Sequence, residues 1–243
     1  MKSADMSLDN AKALIFDVFG TVVDWRTSIA KEAADMLQPK GYDLDWHAFA
    51  DAWRRRYQPA MEEVRSGTRP FTKLDILHRE NLENILPEFG ISGLSDLELD
   101  HLNRAWHRLS PWDDSPLGLT RLKKKFIIAT QSNGNVALMV NMAKHAGLPW
   151  DTILGAEVCQ AYKPMPESYL RACDLLGLTP SEVIMTAAHN DDLKAAARCG
   201  LRTAFVPRPS EHGPGQIKDL TPDPSIDISA ISFIDLADKL GCP

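Results

Sequence analysis

Asp17 closes an apolar run, Leu14-Ile15-Phe16, and Gly20-Thr21 follows within four residues. A carboxylate in that place can cap a turn or serve as a nucleophile. The glycine permits a tight backbone path close to the carboxylate, and the threonine adds a hydroxyl. Three further polar groups follow: Ser132-Asn133-Gly134, Lys163 within Tyr162-Lys163-Pro164, and His189-Asn190-Asp191-Asp192. Ser132 and Asn133 suit a helix N-cap, and a helix N-terminus is also a natural anion site. A lone lysine is most often a surface charge, but beside a carboxylate it holds that group ionised. A histidine near neutral pH can accept or donate a proton.

These groups need elements to bring them together. Residues 12–18 read as a short buried strand ending near Asp17. Over 27–110 apolar residues recur at helical spacing, as in Ile29, Ala33, Met36 and Leu37, with breaks at Pro39-Lys40-Gly41, Ser66-Gly67-Thr68 and Phe89-Gly90. That block reads as an all-helical insert. From 117 onward strands and helices alternate. A helix carrying Leu119 and Leu122 leads to a strand over 126–130, a helix through about His145, a strand over 152–154 and a loop through Lys163-Pro164. A helix over 167–176, a strand over 183–186 and a helix to Gly200 follow. A strand over 203–206, a Pro/Gly-rich loop at 207–215 and a helix near 233–240 complete the chain. The alternation predicts an α/β fold with a doubly wound parallel sheet. The expected division is a discontinuous core, 1–26 and 111–243, around a helical domain, 27–110. Sites in such sheets lie beyond the carboxyl ends of the strands, where all four polar groups fall.

Bulk properties narrow the function classes. The 243 residues are 44% hydrophobic and 25% charged, with a net charge of −6. An acidic chain with only the short basic runs Arg54-Arg55-Arg56 and Lys123-Lys124-Lys125 is a poor fit to nucleic acid. The cysteines at 159, 173, 199 and 242 form no C-x-x-C pair and have no zinc-like histidine spacing, so reduced thiols are expected. The first ten residues are polar, and no stretch approaches the roughly 20 apolar residues of a membrane span. A soluble, cytoplasmic protein without membrane contacts is the expectation.

FDVFGT, with Asp17 as its aspartate, resembles the first motif of the haloacid dehalogenase superfamily, F-D-x-[DYF]-G-T, whose leading aspartate is the nucleophile. Ser132, Lys163 and Asp192, the last with Gly200 eight residues on, match motifs two to four in order. The resemblance spans nearly the whole chain and implies a Rossmann-like core with an inserted helical cap. The departures select a branch. Magnesium phosphatases of the superfamily carry a second aspartate where this chain has Phe19, and another acid where it has Ala188. Phe19 cannot protonate a leaving group, and magnesium wants hard oxygen ligands, for which Asp191 is the remaining substitute. A leaving halide needs no general acid.

The chain therefore resembles the type II (S)-2-haloacid dehalogenases. That resemblance implies a two-step displacement on short 2-haloalkanoic acids with no metal or cofactor, and the departure at His189, as a tighter, more hydrogen-bonding pocket, extends the expected range to fluoroacetate. Asp17 would form an ester, halide would leave toward Arg54 of Ala52-Trp53-Arg54, and water would release a 2-hydroxy acid. Ser132 and Asn133 would meet the substrate carboxylate. Thr21, Lys163 and Asp192 would serve Asp17 and the water, while Phe19, Phe71, Tyr169 and Asn190 would surround substrate and halide. His189 stands where asparagine is usual. It would position or activate water, help hold halide, or merely pack beside the cap. Relatives of this kind are often dimers, so a homodimer is expected by resemblance alone. A phosphatase or phosphonatase-like hydrolase and a non-catalytic binding relative are the alternatives.

Overall fold

The structure, a computed structural model, describes residues 8–243. Of the polar first ten residues, 1–7 lie outside the described residues. The strands are β1 (Ala13–Phe16), β2 (Val23–Asp24), β3 (Ser110–Pro111), β4 (Ile127–Ser132), β5 (Thr152–Gly155), β6 (Val183–Ala187), β7 (Arg202–Phe205) and β8 (Ile228–Ser229). Six of them form one sheet in the order β5-β4-β1-β6-β7-β8, and every pairing in it is parallel. This is the expected doubly wound α/β core.

Period-2 alternation explains why both sheet faces are apolar. Leu14, Phe16 and Ile184 join the core on one face, and Ala13, Ile15, Val183 and Met185 join the core on the other. All seven are fully buried. Apart from Ala13, each of these side chains contributes about 1.5–3 kcal/mol through burial. The order reverses at β1, which lies between β4 and β6, so Asp17 emerges at the topological switch point of the sheet.

The chain between β2 and β3 is helical: α1 (Trp25–Leu37), α2 (Trp46–Arg55), α3 (Tyr57–Arg65), α4 (Leu74–Ile85) and α5 (Asp96–Asn103). β2 and β3 pair antiparallel, Val23 with Pro111 and Asp24 with Ser110, and so join the two strands of chain that enter and leave this helical cap. Asp24 also caps α1, accepting the Thr27 N–H at 3.0 Å. The break between α2 and α3 falls at Arg56, and Pro59, which cannot donate to the Arg55 carbonyl, lies in the first turn of α3. The remaining helices are α6 (Ser115–Lys123), α7 (Val136–Ala146), α8 (Ala156–Cys159), α9 (Pro166–Leu175), α10 (Asn190–Arg198) and α11 (Phe233–Lys239).

Three local expectations change. The strand expected over 126–130 runs to Ser132, so Ser132 is the last strand residue and Asn135 stands at the N-cap of α7. The loop before Lys163 contains the short helix α8. The long segment after β7 returns to the sheet as β8, which adds an edge strand. Among the described residues no helix is long and apolar enough to cross a membrane.

Candidate active site

Asp17 follows β1 directly, and its N–H donates to the Thr186 carbonyl of β6 at 3.0 Å, which extends the ladder past the strand end. Its side chain is 10% exposed. Oδ1 accepts from Lys163 Nζ at 2.9 Å. Oδ2 accepts from the Thr21 hydroxyl at 2.6 Å and from His189 Nδ1 at 3.1 Å. The Ala188 N–H donates to Thr21 Oγ1 at 2.9 Å, so the threonine's own proton is directed at Asp17. Burial alone would push the Asp17 carboxyl up. The Lys163 charge, the bond and charge of His189 and the Thr21 hydroxyl outweigh it and hold the group well below the usual carboxylate range.

Lys163 sits between two carboxylates, contacting Asp192 Oδ2 as well as Asp17. Burial opposes its charge, but Asp17 and Asp192 raise it above an ordinary lysine. Its backbone is fixed on both sides. Its N–H donates to Asn133 Oδ1 at 2.8 Å, and its carbonyl accepts from Arg65 Nη1 of α3 at 3.1 Å. Asp192, in the first turn of α10, uses its other oxygen to accept the Tyr169 hydroxyl at 2.5 Å.

His189, the residue before α10, is 24% exposed and bridges two acids. Nδ1 faces Asp17 Oδ2, and Nε2 lies 2.8 Å from Glu211 Oε2. Burial would lower its basicity, but Glu211 and Asp17 raise it well above an ordinary histidine. Glu211 itself is 2% exposed. Burial would raise its carboxyl, and the His189 charge and bond bring it below its usual value. Its other oxygen accepts from Trp25 Nε1 at 3.0 Å.

Glu211 explains the glycine of the first motif. Gly20 has φ +84°, and a Cβ at that position would overlap the Glu211 carboxylate. The loop carrying Glu211 is clipped to the nucleophile's turn by Arg208. That buried guanidinium donates from Nε to the Thr21 carbonyl at 2.8 Å and pairs with Asp114 at 2.6 Å. Neither Glu211 nor Arg208 was singled out by the sequence, where they lie in an irregular Pro/Gly-rich stretch.

The cap closes over these groups. A cleft of about 930 Å³ is lined by Asp17, Phe19, Asn133, Lys163, His189, Asp192 and Glu211 from the core, and by Arg54, Tyr57 and Arg65 from the cap. The Arg54 guanidinium lies 3.9 Å from the Tyr57 ring centroid, with Trp25 and Phe19 at 5.3 and 5.6 Å. Its Nη1 is buried and has no hydrogen-bond partner among the described residues. A cation cradled by aromatic faces with a free donor is a receptor for a weakly hydrated anion. Phe19 is buried edge-on to Trp106 and Tyr57, at 5.8 and 6.3 Å, and offers an apolar wall.

Four expected contacts of substrate or halide are placed elsewhere. Ser132 is fully buried, its hydroxyl accepts the Gly134 N–H at 3.0 Å, and it does not line the cleft. Phe71 stacks on Tyr162 at 5.4 Å, outside the cleft. Tyr169 is wholly buried and reaches the site only through Asp192. Asn190 spends its amide on the loop after β7: Nδ2 donates to Asp219 at 2.9 Å, and Oδ1 accepts the Asp223 N–H at 2.8 Å. Tyr169 and Asn190 are held by protein partners, Phe71 packs on Tyr162, and Ser132 is turned toward the backbone of its own turn.

The residues do not fit the magnesium site of the superfamily's phosphatases. Ala188 offers no carboxylate, both Asp192 oxygens are engaged, and the exposed Asp191 pairs with Lys218 at 2.9 Å.

A parallel sheet whose central strand ends in a lysine-held carboxylate, roofed by a helical cap, defines a capped α/β hydrolase. A family model described as haloacid dehalogenase-like hydrolase matches residues 11–200, and the chain belongs to that family. It is similar to (S)-2-haloacid dehalogenase 4A of Burkholderia cepacia, at 28% identity over 204 residues covering 83% of this chain and 85% of that protein. Among solved structures, the defluorinating L-2-haloacid dehalogenase Rha0230 is 53% identical, with a TM-score of 0.93 and 96% of each chain covered. The L-2-haloacid dehalogenase PA0810 is 46% identical, with a TM-score of 0.92 over 95% of this chain and 99% of that one.

Proposed function

We propose that the chain hydrolyses the carbon–halogen bond of short 2-haloalkanoic acids through an ester on Asp17, releasing a 2-hydroxy acid. One observation carries this reading. An ionised, nearly buried carboxylate shares a cleft with Arg54, whose buried Nη1 has no partner among the described residues, and Phe19 stands there where a proton donor would be needed for a poor leaving group. Halide departs as a stable anion, so an aromatic wall suffices there. The similarity to named 2-haloacid dehalogenases supports the substrate class.

In the first step an Asp17 oxygen attacks the halogen-bearing carbon, and the carbon–halogen electron pair leaves with the halide toward Arg54. Lys163 and Thr21 keep Asp17 ionised and fixed in direction. Asn133, on the cleft wall, and Arg54 supply donors for the two anionic ends of substrate and leaving group. The cap excludes bulk water while the ester exists. In the second step water attacks the Asp17 carboxyl carbon, and covalent catalysis thereby splits one difficult hydrolysis into two easier ones. The proposed range includes fluoroacetate, supported by the likeness to a structure described as defluorinating.

Halide release from chloro-, bromo- and fluoroacetate in the presence of EDTA tests the reading, with Asp17→Asn as the control. Release that vanishes in the variant is expected. Magnesium-dependent phosphate release without any halide release would overturn it.

A further inference from the structure

Ester hydrolysis needs a base for the attacking water, and the charges around Asp17 leave few choices. Lys163 is a cation between two acids, and both oxygens of Asp192 are taken by Lys163 and Tyr169. His189 remains, but in the resting site it cannot accept a proton. Ionised carboxylates only accept hydrogen bonds, so with Asp17 on Nδ1 and Glu211 on Nε2 both ring nitrogens donate, and the ring is an imidazolium.

Resting on the function proposed above, we infer that Glu211 is a positioning residue for His189, and that ester formation on Asp17 converts His189 into the base for the hydrolytic step. When Asp17 becomes an ester it loses its negative charge, and one of the two partners that hold the imidazolium is gone. The Nδ1 proton passes to water in the cleft, to which His189 is a quarter exposed. Nε2–H stays on Glu211, which fixes the tautomer with the Nδ1 lone pair directed toward the former carboxylate. Water then attacks the Asp17 carboxyl carbon. One water proton goes to Nδ1, the other to the departing alkoxide of the 2-hydroxy acid, and Asp17 returns as a carboxylate beside an imidazolium. One proton and one halide are released per turnover, as the overall hydrolysis requires.

The surroundings of Glu211 fit such a role. It is buried, its second oxygen is held by Trp25 Nε1, and Gly20 leaves the space it occupies. Other charged or titratable groups bear on the pair from each side. Lys163 stands beyond Asp17, Asp191 lies on α10, and His212 Nε2 is 3.6 Å from Glu211 Oε1. Glu211 supplies the close negative charge that persists on His189 throughout the cycle. It also keeps the ring from turning, as an acid behind a catalytic histidine does in other hydrolases.

Rapid mixing of Glu211→Gln and His189→Asn with 2-chloropropionate tests this. The expected result is a stoichiometric halide burst, a mass gain on the Asp17 peptide that persists, and steady-state turnover lower by about 10²–10⁴-fold. In the wild type, ester decay should quicken with pH through one ionisation that His189→Asn lacks. Unchanged turnover with no adduct would overturn the inference, as would loss of burst and turnover in parallel. If Glu211→Gln does not fold by circular dichroism, His189→Asn and the wild-type pH profile of ester decay decide the question. No halide from the wild type on any haloacid would remove the underlying function, a result distinct from a burst without an accumulating ester.

Discussion

Lys163 Nζ lies 2.9 Å from Asp17 Oδ1, and the pair is nearly closed to solvent, with Asp192 on the far side of the ammonium. Removing the cation leaves two carboxylates facing each other in a low-dielectric pocket. Lys163→Met is therefore expected to lower kcat by about 10²–10³-fold. It should also destabilise the fold by about 3–5 kcal/mol, because a buried charge loses its partner. Steady-state kinetics and urea denaturation check the two effects separately.

Arg54 is a different kind of cation. Its guanidinium rests on Tyr57 and has a buried donor without a partner among the described residues, so it contributes more to anion binding than to the fold. Arg54→Ala is expected to cut kcat/KM by about 10²-fold, the scale of one lost charge-assisted contact, and to weaken product inhibition by added halide. Arg54→Lys should restore little, since an ammonium is strongly hydrated and cannot stack flat on the ring. Inhibition by chloride and bromide, measured for the three proteins, reads this directly.

Gly20 answers two demands at once, a positive φ and the room taken by Glu211. Gly20→Ala should cost about 1–3 kcal/mol from the backbone alone. Displacement of Glu211 should add a defect in turnover. A variant with wild-type stability and wild-type kcat would contradict the packing described for this turn.

Much of the site was legible because Asp17 and Asp192 follow the ends of β1 and β6 within a few positions, and Ser132 ends β4. Asp17, Lys163 and Asp192 meet as their order along the chain implied, and short continuous apolar runs placed the buried strands β1 and β6 that lead to Asp17 and Asp192. Glu211 and Arg208 were not legible. They lie in a loop with no periodicity, and their partners His189, Thr21 and Asp114 are far away in sequence. Tyr169 was found by its spacing, but only the structure shows that it holds Asp192 and does not reach into the cleft. The break at Arg56, which separates the helices carrying Arg54 and Arg65, falls just before Pro59, whose ring lacks an N–H and would clash with the Arg55 carbonyl in a continuous helix, a signal in the sequence that apolar spacing alone passes over.

The shifted groups also set the pH dependence of stability. Asp17 and Glu211 lie below their ordinary values, so their contribution is present above the unfolded carboxylate range and is lost as pH falls through their folded values. His189 is raised, so its contribution is full below about 6.5, its unfolded value, and is lost as pH rises through the higher folded value. The wild type should be most stable between about pH 5 and 6.5. His189→Asn should flatten the decline above that range. Urea midpoints across pH 4–9 (an interval spanning the unfolded carboxylate and histidine values, roughly 4 and 6.5) show whether it does.

The central claim is that the oxygen of the product comes from Asp17. A single turnover in ¹⁸O-labelled water, with enzyme in excess over 2-chloropropionate, tests it most directly. The mechanism predicts label in the Asp17 peptide and an unlabelled 2-hydroxy acid. Label found in the product after that first turnover, with none in Asp17, would contradict it.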